Sequence, residues 1–124
     1  MRLVHEPTDG DDAVLATTID VADTLVSQTR GLMFRRSLPD EYALVFEFGA
    51  ARTRDVHMLF VFVPIDVVWI ADGVVRRVER LRPWRGFARE EADRIVELPA
   101  DAAQRVETGD RLRLVDDSDA PADA

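Results

Sequence analysis

The stretch "PIDVVWIADGVVRRVERL", residues 64–81, decides the fold, because it is typical of two strands joined by a tight turn. Its first half is apolar and β-branched, as expected of a buried strand. Side chains alternate along a strand, so one face is predicted to carry Ile65, Val67 and Trp69 and the other Val68 and Ile70. We therefore expect this strand to lie in the core.

The turn within this stretch is Asp72-Gly73, a pair that tolerates the positive φ that a two-residue hairpin requires. The second strand, from Val74 to Leu81, alternates imperfectly between apolar and charged side chains. We therefore expect it near an edge of the sheet.

Outward from this hairpin, further strands are predicted at residues 2–5, 13–22, 42–48, 53–62, 94–99 and after the Gly109-Asp110 turn. Two short helices are expected, at residues 24–36 and 99–106, and a loop at 82–93. The prediction is a strand-rich α+β fold, a small barrel-like sheet with two short helices. One compact domain would span residues 1–115, followed by a disordered acidic tail at 116–124.

The composition is globular but acidic, with 47% hydrophobic residues and a net charge of −8 in 124 residues. All 16 basic residues are arginine, and aspartate outnumbers glutamate by 16 to 8. GC-rich codon usage explains arginine in place of lysine, yet it does not explain the excess of acids. We therefore favour adaptation to a salt-rich cytoplasm, where screening weakens repulsion between carboxylates.

The chain contains no cysteine, which excludes disulfides, cysteine nucleophiles and thiolate metal sites. The two histidines show no metal-ligand spacing, and we expect neither metal nor cofactor. The longest apolar stretch, residues 58–71, is shorter than the roughly 20 residues that span a bilayer. With no apolar segment of signal-peptide type near residue 1, a cytoplasmic protein without membrane association is expected.

Three segments in order carry a family resemblance: "GLMFRRSL" at residues 31–38, "PIDVVWIADGVV" at 64–75 and "ELPADAAQRVETGD" at 97–110. Together they resemble the domain of unknown function 192 family, over roughly residues 16–115. The resemblance implies a compact β-rich domain without an established biochemical activity.

The chain departs from the family pattern just before Pro64. The family typically has a Trp-Met-Lys-Asn-Thr segment there, whereas His57 occupies the Trp position and Leu59, Phe60 and Val61 replace the polar trio. If those polar side chains serve a family ligand, the site is lost or altered here.

Asp66 and His57 are the candidate acid/base residues. A carboxylate in an apolar strand is costly unless backbone N–H groups or an arginine pair with it, so a structural role for Asp66 is favoured over catalysis. For His57, no serine elbow or other nucleophile accompanies it, and an ordinary hydrogen-bonded histidine is favoured. We therefore assign no catalytic residue. Asp66 and His57 are the only candidates.

Charge is distributed unevenly along the chain. Residues 30–89 hold eleven arginines against seven acids, a net +4, while both flanking segments are acidic. The densest segment, "RRVERLRPWRGFAR" at residues 76–89, interleaves arginine with aromatic side chains, which is typical of stacking and anion contact. The alternative is that these arginines pair with the chain's own carboxylates while Trp84 packs beneath them, and this alternative is favoured. The predicted ligand-binding residues are Arg30, Arg35, Arg82, Trp84 and Arg85.

The sequence therefore favours a noncatalytic binding or interaction module for an anionic small molecule or a protein partner. Nucleic acid is less favoured, because no RNA-binding motif is present and high salt weakens phosphate contacts. One alternative is a hydrolase-like enzyme that uses Asp66 and His57. Another is a structural or assembly domain that pairs through an exposed edge strand.

Overall fold

A computed structural model describes residues 1–22 and 31–116 of the chain. The described residues form eight strands: β1 (Arg2–Glu6), β2 (Ala13–Ala16), β3 (Thr18–Ala22), β4 (Tyr42–His57), β5 (Ile65–Ala71), β6 (Val74–Leu81), β7 (Phe87–Pro99) and β8 (Arg111–Val115). They make one sheet in the order β2-β1-β8-β6-β5-β7-β4-β3. All neighbours are antiparallel except β3 and β4, which are parallel.

β5 is the buried strand that the sequence predicts, and each of its seven residues is buried. Val67 and Trp69 belong to one apolar cluster, and Val68 and Ile70 belong to another on the opposite face. The predicted division of the two faces is thus confirmed. The cause is that β5 pairs with β6 on one side and β7 on the other, with apolar side chains required above and below.

The predicted hairpin turn between β5 and β6 is also confirmed. Asp72 and Gly73 have φ of 52° and 79°, as the mirror-image turn of a tight hairpin requires.

Several predicted strand boundaries were wrong. The strand predicted at residues 13–22 is divided at Thr17 into β2 and β3, which lie at opposite edges of the sheet. The other differences concern the antiparallel pairing of β4 with β7. The segment 42–57 is one strand, β4, with an irregularity between Glu47 and Arg52 where the sequence predicted a break. The predicted loop at 82–93 becomes strand β7 from Phe87 onward, paired from Phe87 opposite His57 to Glu97 opposite Leu44. The pairing is between segments distant in sequence, and the charged residues in it obscure any local strand pattern.

The two predicted helices are a correction as well, since the described residues contain only strands and turns. Residues 23–30, the larger part of the first helix prediction, lie outside the described residues, and residues 31–34 form a turn. At residues 99–106, where the second helix was predicted, the chain makes only turn-type backbone hydrogen bonds over three residues. Ala102 N–H donates to Pro99 O, and Val106 N–H donates to Ala103 O. Asp101 has φ of 76°, a left-handed conformation that interrupts a helix.

The barrel-like closure is the third correction, because the sheet is open. Its outer strands are β2 and β3, and no ladder joins them in the part of the chain that the structure describes. Only Thr17 separates them, so the chain cannot fold back into a hairpin that pairs them. Thr17 and Thr18 N–H groups both donate to Glu41 O instead, at 2.9 and 3.0 Å. The tail predicted from Asp116 lies outside the described residues from position 117 onward.

Candidate functional site

Four exposed aromatic side chains meet on one side of the molecule. The ring centroids of Phe34 and Phe60 are 5.3 Å apart, those of Phe60 and Trp84 5.2 Å, and those of Phe62 and Trp84 5.4 Å. Each remains between 38% and 56% exposed. We call Phe34, Phe60, Phe62 and Trp84 the aromatic surface. A contiguous group of this kind is unusual on a folded chain that has no use for it.

The backbone that presents this surface is conformationally strained. Phe34, Phe60 and Trp84 have φ of 69°, 61° and 64°, in the left-handed region that bulky side chains avoid. Two hydrogen bonds hold it: Phe34 N–H donates to Phe60 O at 2.7 Å, and Trp84 N–H donates to Val61 O at 3.2 Å. Such strain persists only where surrounding contacts impose it, and it concentrates at functional sites.

Glycine at position 86 closes the Trp84 loop. A Cβ atom there would come within 2.8 Å of Arg82 O, of Leu81 Cβ and of Met58 Cγ. The Gly86 N–H donates to Arg82 O, and Gly86 O accepts from Met58 N–H, both at 3.0 Å. The loop is therefore packed against the segment that carries Phe60.

Several arginines of the described segments form ion pairs within the molecule, whereas those beside the aromatic surface do not. Arg77, Arg80 and Arg89 pair with carboxylates within 3.0 Å, as the intramolecular alternative expects. In contrast, no acid of the described segments 1–22 and 31–116 forms an ion pair with Arg36, Arg82 or Arg85. All three side chains are exposed, and the Arg36 guanidinium lies 5.9 Å from the Phe62 ring centroid.

The predicted binding residues fall into three groups. Arg82, Trp84 and Arg85 lie together on the loop beside the aromatic surface. Arg35 is engaged within the molecule, 5.1 Å from the Tyr42 ring centroid and 3.7 Å from the Asp20 carboxylate. Arg30 lies outside the described residues.

Asp66 is buried, and its carboxylate has both an arginine and a backbone N–H group as partners, as predicted from the sequence. Arg80 Nε donates to Asp66 Oδ1, and the Ala103 backbone N–H donates to Asp66 Oδ2 at 3.0 Å. Arg80 also bonds Asp101 at 2.7 Å, and these two carboxylates raise the pKa of its guanidinium. Asp66 therefore ties the segment after β7 to strands β5 and β6.

A cavity of about 400 Å³ opens beside the aromatic surface. His57 is at its edge and Asp66 is not among its lining residues. Asp66 alternates with Val67 and so shares the face of Val68, whereas the cavity is lined by Ile95 of the opposite cluster. His57 is exposed at the end of β4 and Asp66 is buried in β5, so the two candidate acid/base residues do not share this cavity. The described lining residues are Gly31, Leu32, Met33, Phe46, Phe48, Thr53, Arg54, Asp55, Val56, His57, Val61, Ile95 and Glu97.

Glu97 is the residue that sequence reasoning missed. It is 6% exposed, lies near the end of β7, and burial raises its pKa to about 7. The available signal was a single acid within the otherwise apolar run at residues 95–98. The aromatic surface was only partly predicted, since Trp84 was among the predicted binding residues and Phe34, Phe60 and Phe62 were not.

Among residues 1–22 and 31–116, no group of three or more His, Cys, Asp or Glu side chains is arranged to hold a metal ion. Within the same residues, no helix has the length and hydropathy needed to cross a bilayer.

Comparison with known proteins places this fold among uncharacterised relatives. A UPF0127 protein from Thermococcus gammatolerans is 30% identical over 99 residues, which are 76% of this chain and 64% of that protein. The match therefore spans less than two thirds of that relative's length.

Two solved structures share the fold. A protein of Sinorhizobium meliloti 1021, described as a proposed transcription regulator, superposes with a TM-score of 0.81 and 28% identity, covering 90% of this chain and 91% of that one. A protein of unknown function from Novosphingobium aromaticivorans superposes with a TM-score of 0.80 and 21% identity, covering 92% and 84%. The family model DUF192, "Uncharacterized ACR", matches residues 6–114, and the chain belongs to that family of uncharacterised proteins.

Proposed function

We propose that the chain is a noncatalytic interaction module whose aromatic surface binds an acidic, partly apolar segment of a partner protein. The observation that carries this proposal is the contact of four exposed aromatic rings beside Arg36, Arg82 and Arg85, none of which has an acidic partner among the described residues. Aromatic and arginine side chains are the residues that most often dominate binding energy in protein interfaces.

Charge favours an acidic partner at this surface even though the whole chain carries −8. The three arginines supply local positive charge where the partner would dock, and their planar guanidinium groups suit carboxylates. The rings supply apolar contact area, which strong salt does not weaken.

A protein segment is favoured over nucleic acid for two physical reasons. A polyanion is repelled by the acidic remainder of the molecule, and phosphate contacts lose affinity steeply as salt rises. The structural neighbour from Sinorhizobium meliloti is described as a proposed transcription regulator. The binding test therefore includes a DNA probe.

The test measures fluorescence anisotropy of three labelled probes at about 2 M and about 0.2 M KCl, ionic strengths that screen surface charge to different extents. The probes are a peptide that alternates aspartate with leucine and phenylalanine, the same peptide with lysine for aspartate, and single-stranded oligothymidine. We expect saturable binding of the acidic peptide alone at high salt. Trp84→Ala is expected to weaken it by about tenfold or more, the effect of losing an interface aromatic.

Phe87→Ala is the matched control, because Phe87 is an exposed aromatic residue whose ring contacts none of the four rings of the aromatic surface, and it should bind as wild type. The paired variant Arg82→Ala/Arg85→Ala should weaken binding most at low salt. The proposal is overturned if the acidic peptide does not bind, if oligothymidine binds better, or if Trp84→Ala binds unchanged. Concentration-dependent self-association that Trp84→Ala abolishes would instead identify an assembly domain.

We also infer that the chain works in a salt-rich cytoplasm. Support comes from its composition, with 24 acids, 16 basic residues that are all arginine, and a net charge of −8. Salt screens repulsion among those carboxylates, so the urea midpoint should rise as KCl increases to about 2 M, where the Debye length is only a few ångströms. A midpoint that is independent of KCl would contradict this inference.

A further inference from the structure

The cavity described above has the dimensions of a small-molecule site. Its volume of about 400 Å³ lies within the range of roughly 300–1,000 Å³ that ligand pockets occupy. Its described walls come from β4, β7, the turn at residues 31–33 and the segment between β4 and β5. Leu32, Phe46, Val61 and Ile95 provide apolar contact. A site of this composition accepts a mainly apolar body and needs few polar groups to orient it.

The unusual wall residue is Glu97. It stands in register between Leu44 on β4 and Val67 on β5, both buried members of the apolar cluster on the cavity's face of the sheet. No side-chain hydrogen bond or ion pair joins it to any residue in segments 1–22 and 31–116. A buried carboxyl without a partner is costly, and native structures rarely keep one without a use.

Gly31 keeps the space over this carboxyl open. A Cβ built at position 31 would lie 3.7 Å from Glu97 Oε1 and 3.4 Å from the Phe46 ring. The φ of Gly31 is 50°, which also disfavours other residues there. A Cβ at position 31 would thus be in van der Waals contact with the Glu97 carboxyl, and glycine leaves this side of the carboxyl uncovered.

Among residues 1–22 and 31–116, the other charged groups that line the cavity come from β4, and they are less available than Glu97. The Arg54 guanidinium lies 3.9 Å from the Phe48 ring centroid and donates to Ala50 O and Ala92 O. Asp55 pairs with Arg89 at 2.7 Å. His57 is exposed at the edge. The buried polar group left for a ligand is thus the Glu97 carboxyl.

We propose that this cavity binds a small amphipathic amine, whose ammonium group pairs with the Glu97 carboxylate while its apolar body packs against Leu32, Phe46 and Ile95. The site is separate from the aromatic surface and does not depend on the interaction proposed for it. On binding, the neutral Glu97 carboxyl loses its proton to solvent, and the resulting carboxylate accepts hydrogen bonds from the ammonium, so charge and protons balance.

Protonation predicts how such binding depends on pH. Burial raises the pKa of Glu97 to about 7, so a cation competes with a proton for the carboxyl below that value. Affinity for an amine should rise about tenfold between about pH 6 and about pH 8. A neutral alcohol would show no such rise, and a carboxylate ligand would show the opposite, since it needs the protonated acid.

The experiment titrates the full chain with hexylammonium, hexanol and hexanoate by calorimetry at constant ionic strength, at about pH 6 and about pH 8, on either side of the Glu97 pKa. We expect hexylammonium to bind best, with release of protons at the lower pH. Glu97→Gln, which is neutral and similar in shape, should lose most of the affinity at the higher pH and all of its pH dependence.

Glu91→Gln is the matched control, because Glu91 is an exposed carboxylate on the same strand, and it should bind as wild type. Trp84→Ala should also bind hexylammonium as wild type, which separates this site from the aromatic surface. The proposal is overturned if hexylammonium does not bind, if hexanol or hexanoate binds as well, or if Glu97→Gln retains the pH-dependent affinity.

Discussion

Phe60 and Trp84 meet edge to face with ring centroids 5.2 Å apart, and both residues hold a left-handed backbone, at φ of 61° and 64°. The left-handed backbone is unfavourable for a bulky residue at each of these two positions. It nevertheless brings the two exposed rings into contact. A chain selected only for stability would have glycine or asparagine at these positions. The arrangement therefore points to use of the rings rather than to their packing.

The first prediction concerns this strain at Trp84. Trp84→Gly should be more stable than Trp84→Ala by about 1 kcal/mol, because alanine retains the cost of a left-handed backbone and glycine does not. Urea unfolding at one salt concentration measures the difference. This order reverses the one usually found in extended segments, where alanine is the better residue.

Phe87 supplies the control for that comparison, as it is 58% exposed, begins β7 and is not among the residues with positive φ. At Phe87 the alanine variant should be the more stable by about 0.5–1 kcal/mol. Equal stabilities of the two Trp84 variants would show that its backbone is not strained.

A second prediction concerns the glycine beneath the loop. Gly86→Ala should lower the free energy of unfolding by about 1–3 kcal/mol, because the added Cβ would meet three atoms at 2.8 Å, one of them a backbone oxygen. At Gly49 nothing lies within 4 Å of a built Cβ, so Gly49→Ala should change stability by less than about 1 kcal/mol. If the two variants unfold at the same urea concentration, the loop is not packed as described.

The sequence predicted the structure correctly where two paired strands are adjacent in the chain. The β5–β6 hairpin was predictable because the apolar run and Asp72-Gly73 are adjacent, and each follows from local rules of alternation and turn geometry. The pairing of β4 with β7 was not predictable in the same way. It joins Leu44 to Glu97 across 53 positions. The uncharged break at residues 49–51 is typical of a strand end, and the charged residues of β7 before Arg94 are typical of a loop.

The failed helix at residues 99–106 has a tertiary cause. Its sequence is alanine-rich after a proline, which favours a helix in isolation, but Asp66 takes the Ala103 N–H and Asp101 adopts a left-handed backbone. A contact from 37 positions away thus overrides local propensity. For the same reason only part of the candidate site could be predicted from the sequence. Trp84 is recognisable as an aromatic residue among arginines, whereas the burial of Glu97 depends on which strands lie on either side of it.

The third prediction concerns Asp66 as the anchor of that segment. Asp66→Ala should lower the free energy of unfolding by about 2–3 kcal/mol, because it leaves the buried Ala103 N–H without an acceptor and removes one partner of Arg80. Asp101→Ala removes the other partner, which is 76% exposed, and should cost less than about 1 kcal/mol. Urea midpoints with unchanged slopes measure both, and equal losses would contradict an anchoring role.

The last prediction is the pH dependence of stability that Glu97 imposes. Its pKa rises from 4.5 to about 7 on folding, because burial disfavours the carboxylate. Between these values the folded state binds more protons than the unfolded state, so stability falls as pH rises and levels off above about pH 7. A shift of this size corresponds to a loss of roughly 3 kcal/mol.

Glu97→Gln cannot ionise, so its stability relative to wild type should increase from about pH 5 to about pH 8, the interval that spans the shifted pKa. Asp110 contributes in the opposite sense: burial acts to raise its pKa, but hydrogen bonds from His5 and two backbone N–H groups outweigh burial and hold it below its usual value. That contribution is present in both proteins and cancels in the difference. Glu91→Gln, altered at an exposed site on the same strand, should follow wild type. Parallel pH profiles for wild type and Glu97→Gln would mean that Glu97 is already ionised in the folded chain, because only a carboxyl that titrates in this interval can make the two profiles diverge.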